Sequence, residues 1–277
     1  MSGKDKYAVF GNPIKQSKSP LIHAAFARQC DQHMQYRAVL VELDGFATAV
    51  SRFFADGGAG LNITVPFKRE AFELAQRLSA RAQRAGAVNT LTLAEDGILA
   101  GDNTDGVGLL RDMIANLGWV VQNQRVLVLG AGGAARGVLE PLLRDKPREL
   151  LLVNRTAARA EQLAAEFADI AAVEAGPYEL LAGRSFDLII NATSAGLAGE
   201  MPRLPDTLLT ERSCCYDMVY GAQPTPFMRW AAHHAAWAVA DGLGMLVEQA
   251  AESFYIWRRM RPDTRPVIRQ IREALAA

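Results

Sequence analysis

The run Val126-Leu127-Val128-Leu129-Gly130-Ala131-Gly132-Gly133-Ala134-Ala135 constrains the fold of this chain more than any other segment. Its consecutive apolar residues read as a strand buried on both faces, the habit of parallel sheets. A glycine turn and a helix follow in the pattern G-x-G-x-x-A. Gly130 permits the tight turn, Gly132 lets backbone N–H groups approach a pyrophosphate, and Ala135 keeps the helix close to the strand. The helix start offers free N–H donors and the positive end of its dipole to phosphates. A glycine turn alone is weak evidence. Here a strand precedes it, a helix follows, and a second strand, Glu149–Asn154, begins about 20 residues on, which is the setting a dinucleotide site requires.

The end of that second strand selects the cofactor. An NAD site usually places Asp or Glu there to hold the ribose 2′-OH. This chain has Asn154-Arg155-Thr156, with Arg159 one turn later. A carboxylate would repel a 2′-phosphate, whereas Arg155 and Arg159 would bind it through charge-assisted hydrogen bonds. The expected cofactor is NADP, and Thr156 is placed to cap the following helix.

Strand and helix patterns alternate over nearly all 277 residues, which argues an α/β fold with parallel strands. Strands are expected near Tyr7–Gly11, Gln35–Val41, Gly60–Val65, Asn89–Ala94, Ile98–Gly101, Arg125–Gly130, Glu149–Asn154, Phe186–Asn191, Ser213–Asp217 and Trp237–Asp241. A helix is expected from Asp105 to Asn116, and long helices near Leu243–Arg259 and Val267–Ala276. Two packed α/β domains with a cleft between them follow, meeting near Gly101–Gly108: an N-terminal domain with a mainly parallel sheet and a Rossmann-type nucleotide domain. The 30 basic and 30 acidic residues cancel, so no net field favours nucleic acid or an anionic membrane. No apolar stretch has the length of a membrane span. The start, Met1 to Lys6, is short and polar, and no signal peptide is expected. Cys30, Cys214 and Cys215 form neither a disulfide framework nor a metal spacing, which suits a reducing cytoplasm. His23, His33, His233 and His234 are not spaced like a zinc site; no metal is expected, and His233 and His234 read as solvated residues at a helix end.

In the first half, polar residues collect at strand ends. Within Gly60-Leu61-Asn62-Ile63-Thr64-Val65-Pro66-Phe67-Lys68, alternation puts Leu61, Ile63 and Val65 on one face and Asn62 with Thr64 on the other. Pro66 ends the strand and opens a helix, leaving Lys68 in its first turn. A cation there works against the helix dipole, which suits a group that must part with a proton. Asp105, in Gly101-Asp102-Asn103-Thr104-Asp105-Gly106, enters a helix as an early residue or cap, with Asp102 as the rival for capping. In Ser17-Lys18-Ser19-Pro20, Ser19 reads as N-cap and Pro20 as the first helical residue; a capping hydroxyl still has a proton to give a carboxylate. Asn89-Thr90 begins a strand, and Gln249 shares a helix face with Met245.

Taken together, the chain resembles the shikimate dehydrogenase family nearly end to end. The resemblance is carried by Phe10-Gly11-Asn12-Pro13, Ser17-Lys18-Ser19-Pro20, Asn62 to Lys68, Gly86-Ala87-Val88-Asn89-Thr90, Gly101 to Gly106, Gly130 to Ala134, Asn154-Arg155-Thr156, Asn191-Ala192-Thr193-Ser194, Tyr216-Asp217-Met218-Val219-Tyr220 and Asp241-Gly242-Leu243-Gly244-Met245-Leu246. One departure is Gln16, where many members carry histidine. The resemblance implies NADPH-dependent reduction of 3-dehydroshikimate to shikimate, on the path to aromatic amino acids, with Lys68 and Asp105 as the catalytic pair. It implies that Ser17 and Ser19 bind the substrate carboxylate, and that Asn62, Thr64, Asn89, Asp105 and Gln249 bind its hydroxyls, with Tyr220 nearby. For the cofactor it implies Gly130, Ala131, Gly132, Gly133 and Ala134 at the phosphates, Asn154, Arg155, Thr156 and Arg159 at the adenosine phosphate, Thr193 beside them, and Met218, Gly242 and Met245 along the nicotinamide. It also implies a substrate domain over residues 1–104, a nucleotide domain over 105–242, and final helices, 243–277, returning to the first. The expected partner is a small molecule, and the chain a monomer or homodimer. A quinate-using relative, another paralogue, and a non-catalytic NADP-binding sensor are the rival readings; the last has no use for Lys68 and Asp105.

Overall fold

The computed structural model describes residues 4–195 and 200–276. The chain forms two compact units, one of Met1–Gly108 with Val247–Ala274 and one of Leu109–Leu246 with Leu275–Ala277.

The first unit is assembled from β1 (Asp5–Gly11), α1 (Ser19–Gln29), β2 (Met34–Leu40), α2 (Phe46–Ala55), β3 (Gly58–Ile63), α3 (Lys68–Leu74), β4 (Arg77–Leu78), α4 (Ala80–Ala85), β5 (Thr90–Leu93), β6 (Leu99–Asp102) and the start of α5 (Asp105–Arg111). Its sheet has six strands in the order β2-β1-β3-β5-β6-β4. All neighbours are parallel except β5, which runs against both β3 and β6. The C-terminal ends of β1, β3 and β6 and the start of β5 therefore share one edge. In register, Asn62 faces Thr90 and Thr90 faces Asp102. Alternation sends Ala8, Phe10, Leu61 and Ile63 into one core with Phe46, Val50 and Phe67. Val65 does not follow Leu61 and Ile63; it lies past the strand and is exposed.

Helix α1 begins one residue earlier than the Ser-Pro pattern predicts. Lys18 is the N-cap residue, Ser19 is helical, and the Ser17 hydroxyl oxygen accepts the Ser19 N–H at 3.3 Å. Pro20 still fits, because the second helical N–H also lacks a helical acceptor. The segment β4–α4 escaped the pattern. It is a two-residue strand and one short helix capped by Ser79, whose hydroxyl accepts the Ala82 N–H at 3.2 Å. Asp102 does not cap α5; it binds Ser79 and Arg81, and Asn103 Oδ1 accepts the Asp105 N–H instead.

His23 of α1 is wholly buried, stacked on Tyr36 with centroids 4.1 Å apart, and neither ring nitrogen has a partner. Burial pushes its pKa down from 6.5 to about 3. The unfolded chain thus binds a proton that the folded chain refuses between those values, so this contribution to stability is present above pH 6.5 and is lost as pH falls toward 3. His23→Phe is expected to flatten the acid side of the stability–pH curve, measured by urea unfolding across that range.

The second unit continues with β7 (Arg125–Leu129), α6 (Gly133–Arg144), β8 (Glu149–Val153), α7 (Ala157–Ala165), β9 (Glu174–Gly176), β10 (Phe186–Asn191), β11 (Leu209–Asp217), α8 (Pro226–His233) and β12 (Ala238–Asp241). Its six parallel strands run in the order β12-β11-β10-β7-β8-β9, the doubly wound arrangement with its reversal between β7 and β10. Val126 and Val128 enter one core and Leu127 and Leu129 the other, as a strand covered on both faces must. The helix expected over Asp105–Asn116 changes character. After α5 the turn at Asp112–Asn116 widens to π spacing, and the buried Asp112 carboxylate accepts the Tyr216 hydroxyl at 2.7 Å. His234 is only partly solvated: its ring nitrogens lie 2.9 Å from the Trp230 carbonyl and from the exposed Asp206.

Helix α9 (Leu243–Arg258) starts in the second unit and belongs to the first from Val247; α10 (Arg265–Ala276) follows it. Phe254 of α9 packs edge-on against Phe26 of α1. Arg81 bridges Asp102 and Glu252, and Arg261 holds the other Glu252 oxygen, pinning these last helices to the first unit. Among the described residues no helix is long and apolar enough to cross a membrane.

Candidate active site

Register and helix entry bring the first-unit candidates to one sheet edge. Thr64 follows β3 directly, and its N–H is bound to the Phe10 carbonyl beside it. The Thr64 methyl lies so close against Gly11 that a Cβ there would overlap it. Lys68 opens α3 and Asp105 opens α5. Their side chains form an ion pair, Lys68 Nζ to Asp105 Oδ2 at 2.5 Å, with 33% and 19% of their surfaces exposed. The other carboxylate oxygen accepts the Asn89 Nδ2 N–H at 2.8 Å. Asp105 is thus held from both sides, and Lys68 keeps donors to spare, since an ammonium carries three.

Asn89 is almost wholly buried, and its carbonyl oxygen accepts from the Thr104 N–H at 3.0 Å. Gln249 Oε1 lies 3.4 Å from the Thr104 hydroxyl and 3.5 Å from Asn89 Nδ2. Asn62 is also buried. Tyr36 Oη donates to its Oδ1 at 2.7 Å, while its Nδ2 faces the Asn89 carbonyl, Thr90 and Ser253. Asn62 Oδ1 accepts the one bond from Tyr36 and, as an amide oxygen, has a second lone pair for a ligand hydroxyl. Ser19 is buried and Ser17 half-buried at the entry of α1. Sequence reading singled out neither Tyr36 nor Ser253. Ser253 stands four residues after Gln249 on α9, and that helical spacing is the only signal that could have flagged it.

In the second unit the cofactor candidates lie at the C-terminal ends of the strands. Gly130, after β7, has φ +98°, and a Cβ there would sit 3.2 Å from the Ala192 carbonyl. Gly132 and Gly133 are exposed, with nothing within 4 Å of a Cβ, and α6 starts there without a side-chain cap. Asn154 Oδ1 accepts the Ala131 N–H at 3.3 Å, and its Nδ2 donates to the Thr156 carbonyl at 2.9 Å, tying the glycine turn to the end of β8. Thr156 occupies the N-cap of α7 but makes no capping hydrogen bond. Arg155, Thr156 and Arg159 are exposed, as is Ala134. Thr193 follows β10, across the strand-order reversal from Gly130, with its hydroxyl on Asn191 Oδ1 at 2.7 Å. Open backbone N–H groups at a helix start and arginines in place of an acid fit a dinucleotide bearing a 2′-phosphate.

Beyond β11 and β12, Met218 and Gly242 touch. The Met218 N–H is held by the Asn191 carbonyl, and a Cβ on Gly242 would collide with the Met218 carbonyl oxygen. Gly242→Ala must push main chain apart. Its expected result is a loss of roughly 1–3 kcal/mol of stability with weakened dinucleotide binding, checked by thermal melting and fluorescence titration. The Met245 N–H is held by Tyr216 Oη at 3.2 Å. Tyr220 is half-buried; burial and, secondarily, Asp241 push its phenol up.

Three family models match the chain: the shikimate dehydrogenase substrate binding domain over residues 9–91, shikimate / quinate 5-dehydrogenase over 113–198, and the shikimate 5′-dehydrogenase C-terminal domain over 242–272. The chain is 56% identical over 271 residues to the shikimate dehydrogenase (NADP(+)) of Cellvibrio japonicus, covering 98% of both. Among solved structures it is similar to an Ael1 enzyme from Pseudomonas putida (TM-score 0.92, 50% identity, 96% of this chain and 98% of that one). It is also similar to the shikimate 5-dehydrogenase of Thermus thermophilus in complex with NADP(H) and shikimate (TM-score 0.87, 34% identity, 98% of this chain and 100% of that one).

Proposed function

The chain belongs to the shikimate dehydrogenase family, and on that premise we propose how its residues divide the work of an NADP-dependent shikimate dehydrogenase. The reaction is reversible reduction of 3-dehydroshikimate to shikimate. The single observation that carries the reading is the Lys68–Asp105 ion pair with Asn89 on the remaining carboxylate oxygen. Bound NADPH would supply the hydride. As the ketone oxygen gains negative charge, Lys68 meets it with an N–H and gives up the proton. Asp105 orients the ammonium and, with Asn62, Thr64, Asn89 and Gln249, binds the ring hydroxyls. Ser17 and Ser19 hold the substrate carboxylate at the start of α1, and Tyr220 completes the contacts.

The N–H groups of the exposed Gly132, Gly133 and Ala134 receive the pyrophosphate, while Gly130 and Ala131 shape the turn, their own N–H groups held by the Val153 carbonyl and by Asn154. Arg155, Arg159 and Thr156 take the 2′-phosphate, while Thr193, Met218, Gly242 and Met245 line the remainder. The domain reading gives residues 1–104 and 243–277 to the substrate domain and 105–242 to the nucleotide domain; Asp105 and Tyr220 as substrate contacts and Met245 as a nucleotide contact fall outside those bounds. We place the protein in the cytoplasm, where NADPH is made and the free thiols of Cys30, Cys214 and Cys215 persist. The test is NADPH absorbance with shikimate or quinate against NADP⁺ or NAD⁺. Shikimate with NADP⁺ should far exceed the other combinations. Preference for quinate, or tight NADPH binding without turnover on either acid, would overturn the assignment.

A further inference from the structure

Behind the ion pair lies a polar cluster that the reaction as described does not use. Thr90, Ser253 and Thr104 are at most 1% exposed and sit among buried asparagines. Buried hydroxyls cost stability unless bonded, and alanine or valine would fill the same space more cheaply. Their bonds form one directional chain. Tyr36 Oη donates to Asn62 Oδ1 at 2.7 Å, and Asn62 Nδ2 donates to Ser253 Oγ at 3.0 Å. The Ser253 and Thr90 hydroxyls are 2.8 Å apart, and Thr90 Oγ1 donates to Asn89 Oδ1 at 2.9 Å. Asn89 Nδ2 then donates to Asp105 Oδ1 at 2.8 Å, and Lys68 holds the other oxygen. With Thr90 donating to Asn89, the Ser253 proton goes to Thr90 Oγ1 at 2.8 Å in preference to its other acceptor, the Gln249 main-chain carbonyl at 3.1 Å, and each proton along the chain is used once.

We propose that the hydroxyls of Thr90 and Ser253 are positioning groups for the Lys68–Asp105 pair, locking the Asn89 carboxamide with its N–H toward the carboxylate. The inference rests on the reading of that pair given above. A carboxamide has two orientations differing by a half-turn. The wrong one sets a carbonyl oxygen against a carboxylate oxygen at 2.8 Å, and frees Asp105 to swing from Lys68. The donors facing Asn89 Oδ1 select the right one: the Thr90 hydroxyl at 2.9 Å, the Thr104 N–H at 3.0 Å and, more distant, the Thr104 hydroxyl at 3.2 Å. Ser253 fixes the Thr90 hydroxyl in turn. It does so from α9, 163 residues further along the chain. Thr90 and Ser253 act through Asn89 and Asp105 and have no part in the cofactor site.

The test compares Thr90→Val, Ser253→Ala and their double variant with the hydroxyl-retaining Thr90→Ser and Ser253→Thr, and with Asp105→Asn. Expected are a roughly tenfold loss of kcat in Thr90→Val, unchanged KM for NADP⁺, and recovery of most of the loss in Thr90→Ser. Because the two hydroxyls act in series, the double variant should lose less than the product of the single losses. The proposal is overturned if Thr90→Val and Ser253→Ala melt earlier but keep kcat within about twofold of the parent, or if Thr90→Ser is no better than Thr90→Val. Should Thr90→Val not fold, Ser253→Ala against Ser253→Thr poses the same question. Near-normal turnover of Asp105→Asn would instead sink the reading of the ion pair itself, and the proposal with it.

Discussion

Replacing Lys68 with alanine is expected to leave a folded protein whose kcat has dropped by roughly 10²–10⁴-fold, with a much smaller change in the KM for shikimate. The fold should survive because Lys68 opens α3 at a part-exposed position, where alanine is a better helix former, and because Asp105 keeps its bond to Asn89. Turnover should collapse because, among the described residues, Lys68 is the cation paired with Asp105 and so the one placed to meet charge on the ketone oxygen. A loss confined to kcat marks an interaction made in the transition state, whereas a loss confined to KM marks ordinary substrate binding. Lys68→Arg sharpens the test: it restores positive charge but not a proton that can be released near neutrality. If proton transfer is the role, Lys68→Arg stays slow. Circular dichroism and steady-state kinetics on the purified variants decide it, and near-normal turnover in Lys68→Ala would remove lysine from the mechanism.

Arg155→Ala should raise the dissociation constant for NADPH by roughly 10- to 100-fold, the worth of a charge-assisted hydrogen bond to phosphate, while leaving NADH binding nearly unchanged. Arg155 is exposed and makes no ion pair with a carboxylate among the described residues, so its removal breaks no packing. Arg159, one turn along, should show a smaller effect of the same kind, and the double variant should approach indifference between the two cofactors. The same exposure makes the effect salt-dependent, and fluorescence titrations at two ionic strengths should show the discrimination shrinking at the higher. Equal losses for NADPH and NADH would mean that Arg155 does not read the 2′-phosphate.

What could be read from the residues was what local chemistry dictates. The apolar strand Val126–Leu129 and the glycine turn after it announce themselves, because burial on both faces and a positive φ at Gly130 leave few residue choices. Helix α9 was legible from end to end because a long periodic pattern is hard to mistake. The strand β4 was not, since two residues carry no period. The widened turn at Asp112 was hidden too. It sits where the Asp112 carboxylate meets Tyr216, 104 residues away in the sequence. Lys68 could be placed at a helix start from Pro66 alone, but nothing local says that Asp105, 37 residues later, meets its amine. The partners of Asn89 were out of reach for the same reason, because antiparallel register and a helix from the far end of the chain bring them together.

The interrupted course of the first unit sets a schedule for making the protein. A ribosome emits every strand of that unit's sheet and both members of the ion pair early, then the whole nucleotide unit, and only at the end Gln249 and Ser253. A polypeptide stopped just after Leu246 would carry each glycine and arginine assigned to the dinucleotide, yet lack the helix that closes over Asn89. Such a fragment should bind NADPH without oxidising it, so that turnover itself reports that α9 has been made and seated.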